Sequence, residues 1–418
     1  MRGSPLKSKR PGLWRRKRDT FPRMSKPITV VSFGPGLSVP GGITRVIELI
    51  GTHLASTIQS RHVPTFTRFT GDPECDSSDR GSYWGQVIVY LGAVGQAVRF
   101  RFRRRTVFHV HFAGRGSLLR KGLLCVLLRS MGSCYLVHSH VAGTDLYPHW
   151  MPVFVRRLVL WGLSGARKVI VLTQFWSDFY ASLLGAPANR IVVLPNPADI
   201  PDTVPDRTER GQLQLLFLGR VGERKGAFDL IRAFAALDPA VQNRSRLTLA
   251  GDGDVEAARS LAAELGVESR ISIPGWVGPS EVKSLLTASD VLLLPSYAEG
   301  MAMALIEGMS WGLAVVATNV GGQGEFLEDG RNSLLIKPGN LQSISSAITV
   351  LDANPALRLQ LGRAARETIS RFAIPGYIAT LRGIYAELVD PAAQSPVSRF
   401  GSEKQYSSAP ASPPLDSV

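Results

Sequence analysis

The amino-acid sequence, 418 residues long, shows no pattern typical of the segments that carry a protein into or through a membrane. Leu13 and Trp14 are followed by four basic residues rather than by an apolar stretch and a cleavage site, so no signal peptide is expected. No apolar run reaches the roughly 18–20 residues of a membrane-spanning helix. The apolar run at residues 123–128 is too short to span a membrane, and the run at residues 302–318 contains the charged residue Glu307. These absences predict a cytoplasmic protein without a membrane-spanning segment.

Cysteine is scarce, and the cysteines present form no pattern. The three of them, Cys75, Cys125 and Cys134, are odd in number and lack the spacing of metal ligands. Thiols in a reducing cytosol are the simplest interpretation. The chain also lacks a helix-turn-helix pattern, a metal finger and a strand of interleaved basic and aromatic residues. Nucleic acid is therefore not an expected partner, although the net charge is +15.

The positive charge is concentrated at the amino terminus. Residues 1–26 contain ten Lys or Arg residues and one acid, Asp19, which gives this segment a charge of +9. It is predicted to be a basic disordered tail, and the Ser/Pro-rich segment 391–418 a second disordered tail. Two interpretations of the basic tail remain open. It is either a solvated arm or a segment attracted to anionic lipid headgroups, at about 1 kcal/mol per basic residue.

Between the two tails, short apolar runs alternate with amphipathic stretches of helical length. Hydrophobic residues make up 44% of the chain, enough to fill two cores in a chain of this length. The predicted strands of the first half are residues 28–33, 107–111, 135–139, 169–173 and 191–194. Those of the second half are residues 213–218, 247–250, 271–273, 291–294, 315–318 and 334–336. Continuous apolar strands joined by crossover helices predict parallel sheets covered on both faces.

The alternation is interrupted once, which predicts a domain boundary. The interruption consists of Pro195-Asn196-Pro197 and the polar run 201–211, and Asn196 is interpreted as a turn residue at the crossing. The fold class is therefore α/β, with two tandem Rossmann-like, doubly wound domains at 27–205 and 206–375. A final helix at 376–390 is expected to pack back on the first domain. Ligands of such sheets bind at the carboxyl ends of the strands, so the site is expected in the cleft between the domains.

Two cations follow the first strand of the second domain. The strand at 213–218 is followed by Gly219, and Arg220 and Lys225 lie in the loop that comes next. Fixed cations at the carboxyl end of a strand can neutralise a leaving diphosphate without a metal. The alternative is a pair of solvated loop charges, which the position at the strand end disfavours.

A second loop of the same domain carries two glutamates. A predicted strand ends at Pro295, Glu299 follows in the loop, and a helix is expected to start near Met301. Gly300 is expected to let the backbone approach a ligand, and the free amides of the helix start can hold phosphate oxygens. Glu307 lies two turns into the helix among apolar neighbours, where a carboxylate can accept two hydrogen bonds from a ribose diol. The alternative is a solvated helix residue, but a buried carboxylate needs partners.

The stretch 299–307, with seven residues between its glutamates, resembles the signature of family 4 of the retaining GT-B glycosyltransferases, the glycosyl transferases group 1. Further segments resemble motifs of the same family, and they are residues 219–226, 249–253, 275–277 and 321–325. The resemblance covers residues 28–389 and is strongest after residue 213. One such motif alone is a weak indication of the family, whereas five in order are a strong one.

The resemblance implies a role for each matching residue. In the family the first glutamate contacts the donor sugar and the second holds the ribose, and the Arg/Lys pair holds the diphosphate. The implied catalytic residues are His140, Glu299, Arg220 and Lys225. The implied donor-binding residues are Gly41, Gly42, Gly219, Gly300, Met301, Ala302 and Glu307. Ala302 departs from the pattern, because many members have glycine there, and we expect only a slight change in the loop.

The first domain is expected to supply the other wall of the cleft. Gly41 and Gly42, at a predicted helix start, resemble the family's glycine pair, which lies under the diphosphate and the donor sugar. His140 ends a predicted strand and aligns with the family's cleft histidine, near the reacting face of the donor sugar. His109 and His111 fall earlier in the chain and are interpreted as structural or acceptor-side residues.

The resemblance implies an enzyme that needs neither a metal nor a cofactor. No Asp-x-Asp metal motif ends a strand, and the family uses the loop at Asp252 and Asp254 for nucleotide contacts. We therefore expect a retaining hexosyltransferase that uses a nucleotide-diphosphate sugar as co-substrate. The expected acceptor is a lipid-linked saccharide of bacterial exopolysaccharide, capsule or lipopolysaccharide assembly. Two alternatives remain: a sugar-nucleotide epimerase of the same fold, and a catalytically silent sugar-nucleotide-binding subunit.

Basic and apolar residues alternate at two places in the first domain. Five arginines between residues 99 and 105 interleave with Phe100 and Phe102, and Arg156 and Arg157 lie in an apolar stretch with Trp161. Such surfaces suit docking on an anionic membrane, which would make the protein peripheral on the inner face of the plasma membrane. An ordinary solvated charge run is the alternative.

Overall fold

The computed structural model describes residues 27–39, 41–54, 58–67, 80–114, 116–141, 151–207 and 211–390. The two predicted tails, 1–26 and 391–418, lie outside these ranges, as does Cys75. The described residues form two six-stranded sheets in which every pairing is parallel. The α/β class and the two doubly wound domains are thereby confirmed.

The first sheet has the strand order β2-β1-β3-β4-β5-β6. Its strands are β1 (Ile28–Pro35), β2 (Ile58–Phe66), β3 (Thr106–Phe112), β4 (Tyr135–Ser139), β5 (Lys168–Val171) and β6 (Ile191–Val193). The helices are α1 (Gly42–Leu54), α2 (Arg80–Arg101), α3 (Gly116–Ser130), α4 (Val153–Ser164) and α5 (Gln174–Leu184). Strand β2 escapes the sequence pattern because it is an edge strand. Its exposed positions are polar, and it tolerates a proline that a central strand would exclude.

The second sheet has the order β12-β11-β10-β7-β8-β9. Its strands are β7 (Leu213–Leu218), β8 (Ser245–Ala250), β9 (Ile271–Gly275), β10 (Val291–Leu294), β11 (Ala314–Thr318) and β12 (Leu334–Ile336). Its helices are α6 (Ala227–Ala235), α7 (Pro239–Arg244), α8 (Val255–Glu264), α9 (Pro279–Ala288), α10 (Met303–Ser310), α11 (Leu341–Ala353) and α12 (Pro355–Ser370). The central strand β10 is buried along its whole length, as its unbroken apolar run predicts.

The last helix, α13 (Ile374–Val389), returns to the first domain. Its buried side chains join the apolar cluster formed by β1, α1 and β2 of that domain. The chain crosses between the domains twice, and the two crossings lie side by side. Ala198 donates to Phe372 O (2.8 Å) and accepts from Ile374 N (3.2 Å). Among the described helices, none has both the length and the apolar character needed to span a bilayer.

Candidate active site

A cleft of about 850 Å³ opens between the carboxyl ends of the two sheets. It lies where doubly wound domains bind ligands. The structure brings all of the implied catalytic and donor-binding residues to its lining: Gly41, Gly42, His140, Gly219, Arg220, Lys225, Glu299, Gly300, Met301, Ala302 and Glu307. Residues far apart in the chain therefore converge on one space with room for a sugar nucleotide.

Glu299 and Lys225 form a buried ion pair at the floor of the cleft. Lys225 Nζ contacts Glu299 Oε1, and their side chains are 14% and 5% exposed. Ser296 Oγ donates to the same oxygen at 2.8 Å. The pair joins the loop after β7 to the loop after β10. The carboxylate of Glu299, to which the resemblance assigns the contact with the donor sugar, thus compensates the positive charge of Lys225.

Arg220 stands at the rim of the cleft. Its guanidinium is 61% exposed and pairs with Asp252 Oδ2 at 3.2 Å, across from the loop after β8. Exposed pairs of this kind contribute only about 0–1 kcal/mol, so the guanidinium can move to a ligand at little cost. The arrangement leaves Arg220 able to reach an incoming diphosphate.

Glu307 lies in α10, half-buried, and faces the cleft. Burial raises the pKa of its carboxyl to about 7, the nearby Arg45 guanidinium acts to lower it, and the charge of Asp199 acts to raise it further. Arg45 and Asp199 form an ion pair of their own at 3.4 Å. Glu307 is therefore a carboxylate whose ionised form needs a donor of hydrogen bonds, which a ribose diol would supply.

Helix α10 begins at Met303, two residues later than the expected start at Met301. The delay arises because Ala302 has an extended backbone and because the Met301 carbonyl is held by Asn196 Nδ2 at 3.1 Å. Ala302 provides no side-chain cap. Met303 and Ala304, in the first turn of the helix, line the cleft, and the first-turn N–H groups have no side-chain cap from Ala302.

Gly300 lines the cleft and also makes a close contact with the first domain that its local sequence does not indicate. A Cβ at this position would lie 2.5 Å from the carbonyl oxygen of Val141 in the first domain. Trp176 Nε1 of the same domain donates to Gly300 O at 3.4 Å. A close approach to the backbone of the other domain therefore requires glycine at this position.

Replacing Gly300 with alanine is expected to push the two domains apart at the cleft. We expect donor turnover to fall roughly tenfold or more and the midpoint of thermal unfolding to drop, as for overpacking that costs about 1–3 kcal/mol. Gly51→Ala in α1 is the matched control, because a Cβ there meets no atom within 4 Å. Circular dichroism melting and nucleotide release would measure both effects, and equal behaviour of the two variants would contradict this role.

Two residues that hold the domains together were not recognised from the sequence. Asn196 was interpreted as a turn residue, but it is only 3% exposed and holds the Met301 carbonyl of the other domain. Glu325, in the family-like segment 321–325, accepts from Gln174 N (2.8 Å) and Phe175 N (2.7 Å) at the start of α5. Both contacts join loops more than a hundred residues apart, so no local pattern signals them.

His140, the residue after β4, belongs to a stack of four histidines whose other members are His109 and His111 on β3 and His138 on β4. Its Nε2 shares a hydrogen bond with His111 Nδ1 at 3.0 Å. Behind them, His109 shares hydrogen bonds with His138 Nδ1 (3.3 Å) and with the Tyr385 hydroxyl of α13 (2.7 Å). Burial lowers the pKa of His140 and of His109 to about 3, so both are neutral at pH 7. His109 is therefore structural, whereas His111 supports His140.

The same stack is a candidate for metal binding that geometry disfavours. Nitrogens of His109, His111 and His138 lie within 4.8 Å of one another. The rings, however, stack on each other, with centroids 4.0 Å apart for His109 and His111. Nitrogen lone pairs of stacked rings run side by side, whereas tetrahedral zinc needs lone pairs that converge at about 2.0–2.1 Å. We therefore assign this cluster to hydrogen bonding.

Comparison with known proteins agrees with this geometry. The family model described as Glycosyl transferases group 1 matches residues 204–368, and the model described as Glycosyl transferase 4-like domain matches residues 68–197. A 2-deoxystreptamine glucosyltransferase of Streptomyces kanamyceticus is 30% identical over 296 residues, which cover 65% of this chain and 75% of that protein. A lipopolysaccharide core biosynthesis glycosyltransferase of Rhizobium meliloti is 33% identical over 156 residues, which cover 37% of this chain and 44% of that protein.

The fold also matches a solved structure. Anabaena HepE, in complex with UDP and glucose, superimposes with a TM-score of 0.67 over 86% of this chain and 100% of that chain, at 17% identity. At that identity the likeness concerns the fold, which is GT-B. The family models, the relatives and the fold lead to one conclusion: the chain is a glycosyltransferase that belongs to the glycosyl transferases group 1 family.

Proposed function

We propose that this glycosyltransferase is retaining and metal-independent, and that it moves a sugar from a nucleotide-diphosphate sugar to a saccharide acceptor. The observation that carries the proposal is the single cleft that gathers every candidate residue. The nucleotide end is served by Glu307, and the diphosphate by the cations and uncapped amides of the second domain. The sugar lies between Glu299 and His140, on the walls of opposite domains.

The chemistry of transfer follows from where charge develops. As the bond from the sugar to the diphosphate breaks, negative charge grows on the leaving oxygens. Arg220, Lys225 and the start of α10 at Met303 stabilise that charge in a partly water-excluded site. The acceptor hydroxyl then approaches on the face that the leaving group vacates and passes its proton to a departing phosphate oxygen, which gives retention and needs no protein nucleophile.

Metal independence is supported by the state of the acidic loop after β8. This loop carries the closely spaced acidic pair Asp252 and Asp254. Asp252 forms an ion pair with Arg220 at 3.2 Å. Its charge therefore already has a cationic partner. Fixed cations can take the place of a metal in neutralising the diphosphate. Turnover that persists in excess chelator would agree with this, and turnover restored only by added Mg²⁺ or Mn²⁺ would contradict it.

The donor assay tests the proposal directly. The protein would be incubated with a panel of UDP-, GDP- and ADP-sugars, with UDP-glucose first because HepE is described with UDP and glucose. Release of nucleotide is the expected result, and the anomeric configuration of the product, read by proton NMR, is expected to equal that of the donor. A sugar-nucleotide epimerase would isomerise the sugar instead. A silent binding subunit would leave every donor unchanged.

The proposed acceptor is a lipid-linked saccharide of exopolysaccharide, capsule or lipopolysaccharide assembly. One relative is described as a lipopolysaccharide core glycosyltransferase. The first domain offers a matching surface on α4, where Phe154 is 73% exposed and lies with Val153, Leu158 and Trp161 beside the arginines at 156 and 157. An apolar patch rimmed by arginines suits the interface of an anionic bilayer. On this proposal the protein works in the cytoplasm, on the inner face of the plasma membrane.

The basic stretch at residues 99–105 exposes less apolar surface than its sequence indicates. Phe100 is 4% exposed, and Arg61 and Arg103 lie over its ring at 5.3 and 4.9 Å. Phe102 remains exposed at the end of α2. The stretch thus exposes one aromatic side chain, whereas α4 exposes four large apolar ones, so α4 is the better candidate for membrane contact.

Membrane contact through α4 predicts a specific loss of binding. The unaltered chain should float with vesicles of phosphatidylglycerol at physiological salt. The double variant Phe154→Ser, Trp161→Ser should bind them more weakly, by roughly tenfold or more for each aromatic side chain removed. Leu265→Ser, an exposed apolar residue of the second domain, is the control. Two results would count against the proposal: no binding of the unaltered chain to anionic vesicles, or equal binding by the unaltered chain, the double variant and Leu265→Ser.

A further inference from the structure

Helix α2 carries a second apolar face, on the side away from the first domain. Its inner face, at Ala93, Ala97 and Phe100, is buried in the core of that domain. The outer face has five large apolar side chains that are 41–76% exposed, and they are Trp84, Ile88, Leu91, Val98 and, directly after the helix, Phe102. Residues 81–98 contain no charged residue. A surface helix usually has a polar outer face, whereas a helix that is apolar all round is typical of a buried one.

The exposed apolar residues recur at alternating intervals of four and three residues. Together with Gly95 they occupy positions 84, 88, 91, 95, 98 and 102, which we call the α2 seam. Because an α-helix has 3.6 residues per turn, these positions form one nearly straight stripe along the helix. The same spacing carries the contact residues of paired helices in coiled coils. The α2 seam therefore has the form of one half of a helix–helix interface.

The α2 seam complements itself when two copies of the chain run antiparallel. Its intervals are the same in both directions, so a twofold axis beside residue 93 sets each seam position of one copy against a seam position of the other. A twofold dimer requires this property, because the same patch serves both subunits. The facing pairs are Trp84 with the partner's Phe102, Ile88 with the partner's Val98, and Leu91 with the partner's Gly95.

The middle of the seam has room for a partner. Gly92 and Gly95 are exposed, and a Cβ at either position would meet nothing within 4 Å. Glycine is unfavourable in the interior of a helix, and no contact within the described chain requires it at these two positions. Both glycines lie close to the proposed twofold axis, where two crossing helices approach each other most closely. Leu91 would fill the gap over the partner's Gly95.

The charges at the two ends of α2 favour a second copy over an anionic membrane. Residues 72–79, which lie outside the described ranges, directly precede the helix in the sequence and contain four acids and no base. Residues 99–105, at the other end, contain five arginines. Antiparallel pairing sets the acidic end of one copy against the basic end of the other, twice per dimer. An anionic bilayer would attract only the basic end.

We propose that this chain forms a homodimer in which two α2 helices pack antiparallel along the α2 seam. At 1.5 Å per residue the seam is about 27 Å long. Ten large side chains, five from each copy, at about 100 Å² each provide the roughly 1,000 Å² that a specific interface buries. No residue of α2 lines the cleft, so the dimer does not depend on the proposed glycosyl transfer.

Sedimentation equilibrium of the full chain tests for the dimer, which should predominate at about 100 μM. Gly95→Leu fills the gap that Leu91 would occupy, so dimerisation should weaken roughly 100-fold or more. Leu91→Glu places a charge in the seam and should have the same effect. Gly51→Leu, at an exposed glycine of α1 that also has open space around it, is the matched control and should dimerise as the unaltered chain does. Circular dichroism spectra should be unchanged in all three variants.

Neutralising the acidic end tests the antiparallel direction. Asp76→Asn with Asp79→Asn removes part of the attraction to the partner's arginines, so dimerisation should weaken about two- to tenfold. In a parallel pair the acidic ends would repel each other, and the same change would strengthen dimerisation. Glu264→Gln with Glu268→Gln, two exposed acids of the second domain, is the control for the change in net charge. Dimerisation that is equal to the control or tighter would refute the antiparallel arrangement.

Three further results would overturn the dimer. They are a chain that stays monomeric at about 100 μM, equal dimerisation of Gly95→Leu and Gly51→Leu, and tighter binding of Gly95→Leu than of the unaltered chain to phosphatidylglycerol vesicles. The last result would assign the seam to a membrane, because a leucine adds apolar surface for a bilayer but obstructs a dimer. Nucleotide release by the unaltered chain tests the proposed glycosyl transfer separately, so the two proposals can fail independently.

Discussion

Replacing Glu299 with alanine is expected to lower turnover of the donor sugar by about 10²–10³-fold or more, the size of loss seen when one preorganised group of an active site is removed. Glu299 acts twice. It lies where the resemblance places the contact to the donor sugar, and its Oε1 holds Lys225 Nζ in the cleft. Without the carboxylate, the ammonium loses the partner that fixes its position, so stabilisation of the leaving diphosphate suffers too. Nucleotide release under saturating donor measures the effect.

The same substitution should also destabilise the fold, and the two effects can be separated. Glu299→Ala leaves the Lys225 ammonium, 14% exposed, without its ion pair, which should cost about 1–3 kcal/mol of unfolding free energy. Lys225→Met combined with Glu299→Gln removes both charges, so stability should largely return while turnover stays low. Glu264→Ala, an exposed carboxylate at the end of α8, is the control for both readouts. Full turnover by Glu299→Ala would refute the assignment of this site.

The fold was accessible from the sequence because parallel sheets leave a strong local signal. Central strands such as β10 are buried on both faces and appear as unbroken apolar runs. The edge strand β2 was missed because only some of its positions are buried, and its polar residues break the run. The residues in a short window therefore predict a central strand. The residue pattern of an edge strand depends instead on which of its positions are covered by neighbouring elements.

The candidate site was accessible for a similar reason, up to the point where the domains touch. Glu299, Glu307 and Lys225 stand at fixed offsets from strand ends, so their place at the cleft follows from the strand prediction. The constraint on Gly300 comes from Val141, more than 150 residues away, and cannot be seen in any local window. The delayed start of α10 has the same origin, because Asn196 of the crossing segment holds the preceding carbonyl.

These interdomain contacts bear on how the cleft works. Asn196 and Glu325 each hold backbone groups of the opposite domain, and Trp176 donates to Gly300 O, next to Glu299. The position of Glu299 is therefore set by the first domain as well as by its own strand. A change in the angle between the domains would move Glu299 and the start of α10 together, so we expect it to alter donor binding.

Donor affinity is expected to increase as the pH rises through about 7, because Glu307 must ionise to accept two hydrogen bonds from the ribose. Burial raises the pKa of this carboxyl from 4.5 to about 7 in the free protein. Below that value the carboxyl is protonated, and binding must first remove the proton. The affinity for an intact nucleotide sugar should therefore fall by up to about tenfold for each pH unit below 7 and level off above it.

Glu307→Gln should abolish this pH dependence and bind the donor roughly 10- to 100-fold more weakly at alkaline pH. The sign for stability is opposite. A raised carboxyl pKa means that the folded protein loses stability as the pH rises from about 4.5 to about 7, so Glu307→Gln should be the more stable protein above that window. Calorimetric titration and thermal unfolding across the pH range measure the two effects, with Glu264→Gln as the control. If donor affinity in the unaltered protein does not change with pH, Glu307 does not hold the ribose as a carboxylate that ionises on binding.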